Sequence, residues 1–79
     1  MASAFVLINS EIGAENQVID AVKQIPAVQE AYVVYGVYDI ILRVSASSMD
    51  ELKGMILTNI RGLENVRSTL TMIVVEEEQ

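Results

Sequence analysis

Apolar and polar positions alternate between two periods along this chain, and the switches between them mark its elements. Ala4-Phe5-Val6-Leu7-Ile8 is a short apolar run closed by Asn9-Ser10, the pattern of a buried strand. Gly13 breaks the chain. Val18, Ala21, Val22 and Ile25 then follow helical spacing, with Asp20, Lys23 and Gln24 turned outward. Pro26 ends that helix, because the residue before a proline is pushed out of the helical region. Val28 to Tyr35 is rich in β-branched and aromatic residues and predicts a second strand. Tyr38 to Val44 predicts a third, joined to the second by a hairpin at Tyr35-Gly36-Val37 in which glycine supplies a positive φ.

Ser48-Met49-Asp50-Glu51 fits a capping box, with serine at the N-cap and glutamate three positions on. The helix it opens is expected to bury Met49, Leu52, Met55, Ile56 and Ile60. Gly54 within it costs about 1 kcal/mol relative to alanine unless close packing requires it. Gly62 stops the helix, and Asn65-Val66 leads into a last strand running to about Val75. The order is strand, helix, strand, strand, helix, strand, in a single domain over residues 1–79. Right-handed crossovers and adjacent hairpin strands favour an α+β, ferredoxin-like βαββαβ sandwich. Its four-stranded antiparallel sheet carries two helices on one face.

A sheet covered on one side should alternate apolar with polar residues. These strands do not. Ala4, Val6 and Ile8 oppose Phe5 and Leu7. Ile40, Leu42 and Val44 oppose Asp39, Ile41 and Arg43. Leu70, Met72 and Val74 oppose Thr69, Thr71, Ile73 and Val75. Two helices cannot cover both faces, so an apolar face is left in water and is expected to pair with that of a second subunit.

Composition points the same way. A 79-residue chain buries only about 60% of its unfolded surface, and the chain has no cysteine and no histidine. Disulfides, thiolate zinc sites and imidazole ligands are therefore all excluded, which leaves association as the stabilising device. The hydrophobic fraction of 52% and mean hydropathy of +0.39 agree with surface that needs a partner. No apolar run reaches the ~18 residues of a membrane span, and Met1 to Ile8 has no basic n-region, so a cytoplasmic location is expected.

The formal net charge is −6, and Lys23, Arg43, Lys53, Arg61 and Arg67 are scattered. Affinity for nucleic acid comes mainly from neutralising phosphates, so direct DNA binding is not expected. The Glu76-Glu77-Glu78 run reads as a solvated tail. Catalysis is poorly supported. There is no imidazole or thiol, Ser45, Ser47 and Ser48 have no evident activating partner, and Gly13, Gly36, Gly54 and Gly62 are isolated rather than gathered in a phosphate loop. No cofactor, metal site or catalytic residue is assigned.

Gly36-Val37-Tyr38-Asp39 is the most informative local feature. Its plain role is a turn whose aspartate satisfies backbone groups. Its functional role is a carboxylate that receives an ammonium group, beside backbone N–H groups that receive a carboxylate. A zwitterion such as an amino acid needs that pairing. Arg43, four positions along, is an alternative ion-pair partner for Asp39.

At these residues the chain resembles the effector-binding (RAM) domain of Lrp/AsnC transcription regulators. The resemblance runs from the first strand through Ile25-Pro26-Ala27-Val28-Gln29-Glu30-Ala31 and Gly36-Val37-Tyr38-Asp39-Ile40 to Leu63-Glu64-Asn65-Val66-Arg67-Ser68-Thr69-Leu70-Thr71-Met72-Ile73-Val74. It implies dimers formed through the sheets, assembly of dimers into rings, commonly octamers, and amino-acid effectors held at contacts between dimers. By that resemblance Gly36, Tyr38 and Asp39 line the effector pocket, with hydroxyls of Ser68, Thr69 and Thr71 as weaker candidates. The family's regulators carry an N-terminal helix-turn-helix domain, whereas this chain opens at the first strand of the sensing domain. It is expected to act as that domain alone, by changing its own assembly or joining a full-length regulator. The family's usual glycine before the last strand is Asn65 here, which tolerates a similar backbone conformation. Two other classes stay open: a structural or adaptor oligomer that binds no ligand, and an ACT-like regulatory domain of the same topology. Small ferredoxin-like monooxygenases are disfavoured, because they often place a histidine above the sheet.

Overall fold

A computed structural model describes residues 1–75. The Glu76-Glu77-Glu78 run lies outside them. The chain forms β1 (Ala2–Ser10), α1 (Glu15–Lys23), β2 (Val28–Val33), β3 (Ile40–Ala46), α2 (Met49–Met55) and β4 (Val66–Ile73). The strands form one antiparallel sheet in the order β2-β3-β1-β4, with β2 and β4 at its edges. This is the expected ferredoxin-like α+β fold.

One face of the sheet is dry. Ala4, Val6 and Ile8 of β1 lie in register with Val44, Leu42 and Ile40 of β3, and all six are fully buried. They pack against Val18 and Val22 of α1 and against Leu52, Ile56 and Ile60. Burying each of the valine, leucine and isoleucine side chains is worth about 1.5–3 kcal/mol. The core of the domain is therefore this single interlayer.

Helix α1 starts after Gly13 turns the chain at φ +79. Asp20, Lys23 and Gln24 point outward, as expected. Val18 and Val22 are buried, Ala21 and Ile25 are half-buried, and Ile19 is buried as well. The covered stripe is thus wider than the sequence spacing implies. Ser48 caps α2, its Oγ accepting from Glu51 N–H at 3.2 Å. The Glu51 carboxylate turns to the Ser47 hydroxyl, so the return half of the capping box is made one residue upstream. Met49 does not enter the core. It is the first residue of α2 and remains 38% exposed, while Met55 is half-buried.

Past Met55 the helix widens into a π-helical turn over Ile56–Ile60, marked by Arg61 N–H donating to Ile56 O at 3.1 Å. Gly54 meets nothing within 4 Å of an added Cβ, so packing does not require it. After Gly62 it is Asn65 that adopts the left-handed conformation, at φ 69. Its carbonyl accepts from Glu11 N–H at 2.7 Å and its Nδ2 donates to Gln17 Oε1 at 3.2 Å, locking β4 to the start of α1.

The β2–β3 connection departs from expectation. Strand β2 ends at Val33 and β3 begins at Ile40, so reversal is spread over six residues instead of a tight turn at Tyr35-Gly36-Val37. Val34 N–H donates to Asp39 O at 2.8 Å and closes the loop. A loop of this length turns without a left-handed residue, and Gly36 has no positive φ.

Among the described residues no helix covers the second face. Strand register aligns Leu70, Leu7, Ile41 and Tyr32 in one row across the sheet, and Met72, Phe5, Arg43 and Glu30 in the next. Phe5, Leu70, Met72 and Tyr32 are 38–53% exposed. The apolar second face read from the strand pattern is therefore present. One corner of it is charged. Tyr32 donates its phenolic O–H to Glu30 Oε2 at 2.6 Å, and Arg43 Nη1 lies 3.6 Å from Glu30 Oε1. The Tyr32 hydrogen bond, with help from the Arg43 guanidinium, holds the Glu30 carboxyl below its ordinary value, and the same bond pushes the Tyr32 phenol up. Arg43 thus pairs with Glu30 and not with Asp39: Glu30 sits opposite it in the ladder, whereas Asp39 precedes β3 at the sheet's end.

Candidate functional site

Antiparallel pairing gathers the C-terminal end of β1 and the N-terminal ends of β3 and β4 at one end of the sheet. Ile8 faces Ile40, and Asn9 faces Ser68. One step further the β1–β4 register shifts, Ser10 pairing with Val66, so that Arg67 is an extra residue in a bulge. A bulge bends its strand and re-aims the side chain it carries. Here Arg67 lines a cleft of about 470 Å³, together with Asn9, Ser10, Ile12, Glu15, Asp39 and Ser68.

Asp39 is fixed from two sides. Its N–H donates to Ile8 O at 2.9 Å, and its Oδ2 accepts from Ser10 N–H at 3.0 Å and more weakly from Ser10 Oγ at 3.4 Å. Among the described residues the carboxylate has no partner besides Ser10, which leaves Oδ1 free to accept from a ligand. Ser10 is a buried polar residue, and this bond satisfies its backbone where β1 leaves the ladder. Asn9 Nδ2 donates to Ser68 Oγ at 3.2 Å across β1 and β4. Glu15 opens α1, where the helix end favours negative charge. The cleft therefore presents two carboxylates, one guanidinium and neutral hydroxyl and amide groups within a single hollow. Such a lining suits a small dipolar ligand through charge-assisted hydrogen bonds.

The six residues singled out from the sequence separate in space. Asp39 and Ser68 line the cleft. Tyr38 is half-buried and Gly36 exposed in the preceding loop, and neither is among the lining residues. Thr69 and Thr71 are in register with Ile8 and Val6, so they lie on the helix side of β4, opposite to Ser68. Thr69 borders a smaller hollow with Arg61 and Arg67, and Thr71 one with Lys53, Leu57 and Ile73. The sequence reading missed Asn9, Ser10, Ile12, Glu15 and Arg67. No local signal marks them, because the bulge and the β1–β4 register bring residues 9–15 and Arg67 together from two distant segments. Among the described residues no group of three or more carboxylates gathers to hold a metal ion. None of their helices is long and apolar enough to cross a membrane.

Residues 3–78 match the family model described as the Lrp/AsnC ligand binding domain. An uncharacterized HTH-type transcriptional regulator of Pyrococcus abyssi (strain GE5 / Orsay) is 30% identical over 74 residues, covering 90% of this chain and 49% of the relative. The chain thus spans about half the length of the curated relatives it matches. Among solved structures, a hypothetical protein from Pyrococcus horikoshii, PHS023, superposes with a TM-score of 0.90 at 38% identity, over 98% of this chain and 93% of that one. TTHA0845 from Thermus thermophilus superposes with a TM-score of 0.93 at 30% identity, over 100% and 99%. These likenesses favour the regulator family over the ACT-like alternative, and it is not a family of enzymes. With its βαββαβ fold and a model match across nearly its whole length, the chain belongs to the Lrp/AsnC ligand-binding domain family.

Proposed function

We propose that this domain senses a free amino acid in the cleft beside Asp39 and reports its occupancy through subunit assembly. The observation that carries the proposal is the meeting of Asp39 and Arg67 in one hollow. A carboxylate and a guanidinium lining one small cleft are complementary to the α-ammonium and α-carboxylate of an amino acid. Ser68, Asn9 and the Ser10 hydroxyl add neutral partners. Gly36 and Tyr38 act by shaping the loop that delivers Asp39, and Thr69 and Thr71 act where a neighbouring subunit closes the outer side of β4.

Assembly follows from the uncovered sheet face. Two copies stack their Leu7–Ile41 rows with two-fold symmetry, and dimers associate further into a ring of octamer type, placing the clefts near contacts between dimers. A net charge of −6 gives the domain no grip on phosphates, so its influence on transcription runs through a DNA-binding regulator it joins or belongs to.

The test is the thermal midpoint of the protein against each of the twenty amino acids at millimolar concentration. A ligand of the native state raises it, and Asp39→Ala removes the response. A ligand-free adaptor oligomer is the second reading, favoured by the bond from Asp39 to Ser10, which by itself explains an aspartate at this position. A midpoint indifferent to all twenty would select it.

A further inference from the structure

The cleft's charges also bear on which amino acid it takes, provided the effector reading above holds. We infer that the site is built for a cationic amino acid of the lysine or arginine kind. Its lining holds two carboxylates, Asp39 and Glu15, against one guanidinium, Arg67. The α-ammonium and α-carboxylate of any amino acid take up one carboxylate and the guanidinium. That leaves the second carboxylate facing the ligand's side chain.

Among the described residues Glu15 has no hydrogen bond or ion pair with any side chain. Arg61 lines a neighbouring hollow with Arg67, Ser68 and Thr69 and is not among the residues lining the cleft. A ligand ammonium or guanidinium therefore meets Glu15 without displacing a resident partner.

The apolar alternative fares worse. A branched aliphatic side chain would cover the Glu15 carboxylate while offering it nothing, and a charge desolvated without a partner opposes binding. Among the described residues Ile12, almost wholly exposed, is the one apolar side chain that lines the cleft. One such contact suits the methylene stem of a lysine or arginine and is too little to hold leucine or isoleucine. An acidic side chain would add charge of the same sign as Glu15. The net charge of −6 acts in the same sense at longer range, drawing cations toward the protein and repelling anions.

Isothermal titration of the whole protein with L-lysine, L-arginine, L-glutamine, L-leucine, L-isoleucine and L-glutamate decides the matter. Lysine or arginine should bind about tenfold more tightly than leucine or isoleucine, and more weakly as salt is raised. Glu15→Gln should erase most of the margin of lysine over glutamine, with a small fall in the thermal midpoint from the charge lost at the start of α1. A purely structural role for Glu15 at the start of α1 would lower the midpoint in the same way but leave the ranking unchanged, which would overturn the inference. Tightest binding by leucine, isoleucine or glutamate would also overturn it, with amino-acid sensing left standing. Silence across the panel would overturn the inference, and a thermal midpoint indifferent to all twenty amino acids would overturn the effector reading as well.

Discussion

The Asp39 carboxylate lies 3.0 Å from the Ser10 backbone nitrogen, so the loop before β3 is pinned to the last residue of β1. One side chain thereby serves the fold and borders the cleft, and substitutions can separate the two roles. Asp39→Ala leaves the Ser10 N–H unpaired in a part-buried position and is expected to cost about 1–3 kcal/mol in urea denaturation. Asp39→Asn keeps an acceptor and should cost about 1 kcal/mol or less. Both variants should lose the thermal response to amino acids. A response that survives in Asp39→Asn would mean that the carboxylate charge is not what the ligand meets.

Asn65 predicts a backbone effect. At φ 69 a Cβ-bearing residue without a compensating side chain is strained by about 1–2 kcal/mol. Asn65→Ala should destabilise by roughly that amount, and Asn65→Gly by distinctly less, because glycine accepts the conformation and loses only the bond to Gln17. Equal losses in the two variants, measured by urea denaturation, would locate the cost in the side-chain bond instead.

Much of this fold was legible from local pattern. The Ser48–Glu51 spacing marked a real N-cap, Val18 and Val22 marked the buried side of α1, and Asn65 stood where a left-handed residue was needed. The doubled apolar pattern of β1 and β3 correctly announced a second greasy face. What stayed hidden depends on long-range register. Nothing near Arg67 in sequence signals that a bulge opposite Ser10 turns it toward the cleft that Asp39 lines. Likewise Glu30, not Asp39, is the partner of Arg43, because the β2–β3 ladder sets them side by side. The loop over residues 34–39 looked like a tight hairpin because glycine suggests one, whereas the strand ends are fixed by which apolar residues reach the core.

Gly54 offers a gain. An added Cβ meets nothing within 4 Å, so Gly54→Ala should stabilise the chain by about 1 kcal/mol in thermal or urea denaturation. A loss would show that this side of α2 is covered by another subunit.

On the open face, the Tyr32–Glu30 bond gives a spectroscopic prediction. The Tyr32 phenol should ionise at higher pH than a free tyrosine, followed by ultraviolet absorbance, and Glu30→Gln should bring it back toward the ordinary value. The linked stability has two limits. Glu30 is depressed, so its contribution is present above the unfolded carboxylate value and lost as pH falls through the folded one. Tyr32 is raised, so its contribution is present below the unfolded phenol value and lost as pH rises through the folded one.

In the proposed assembly two sheets pair through the Leu70–Leu7–Ile41–Tyr32 row, and the placing of the clefts near contacts between dimers depends on that pairing. Sedimentation equilibrium of the protein across the micromolar range, beside a Leu7→Glu variant, measures it directly. The wild-type chain should sediment as a dimer or a multiple of dimers, and the variant, with a charge in the middle of the row, should fall to smaller species. A wild-type protein that remains a folded monomer throughout would contradict the account.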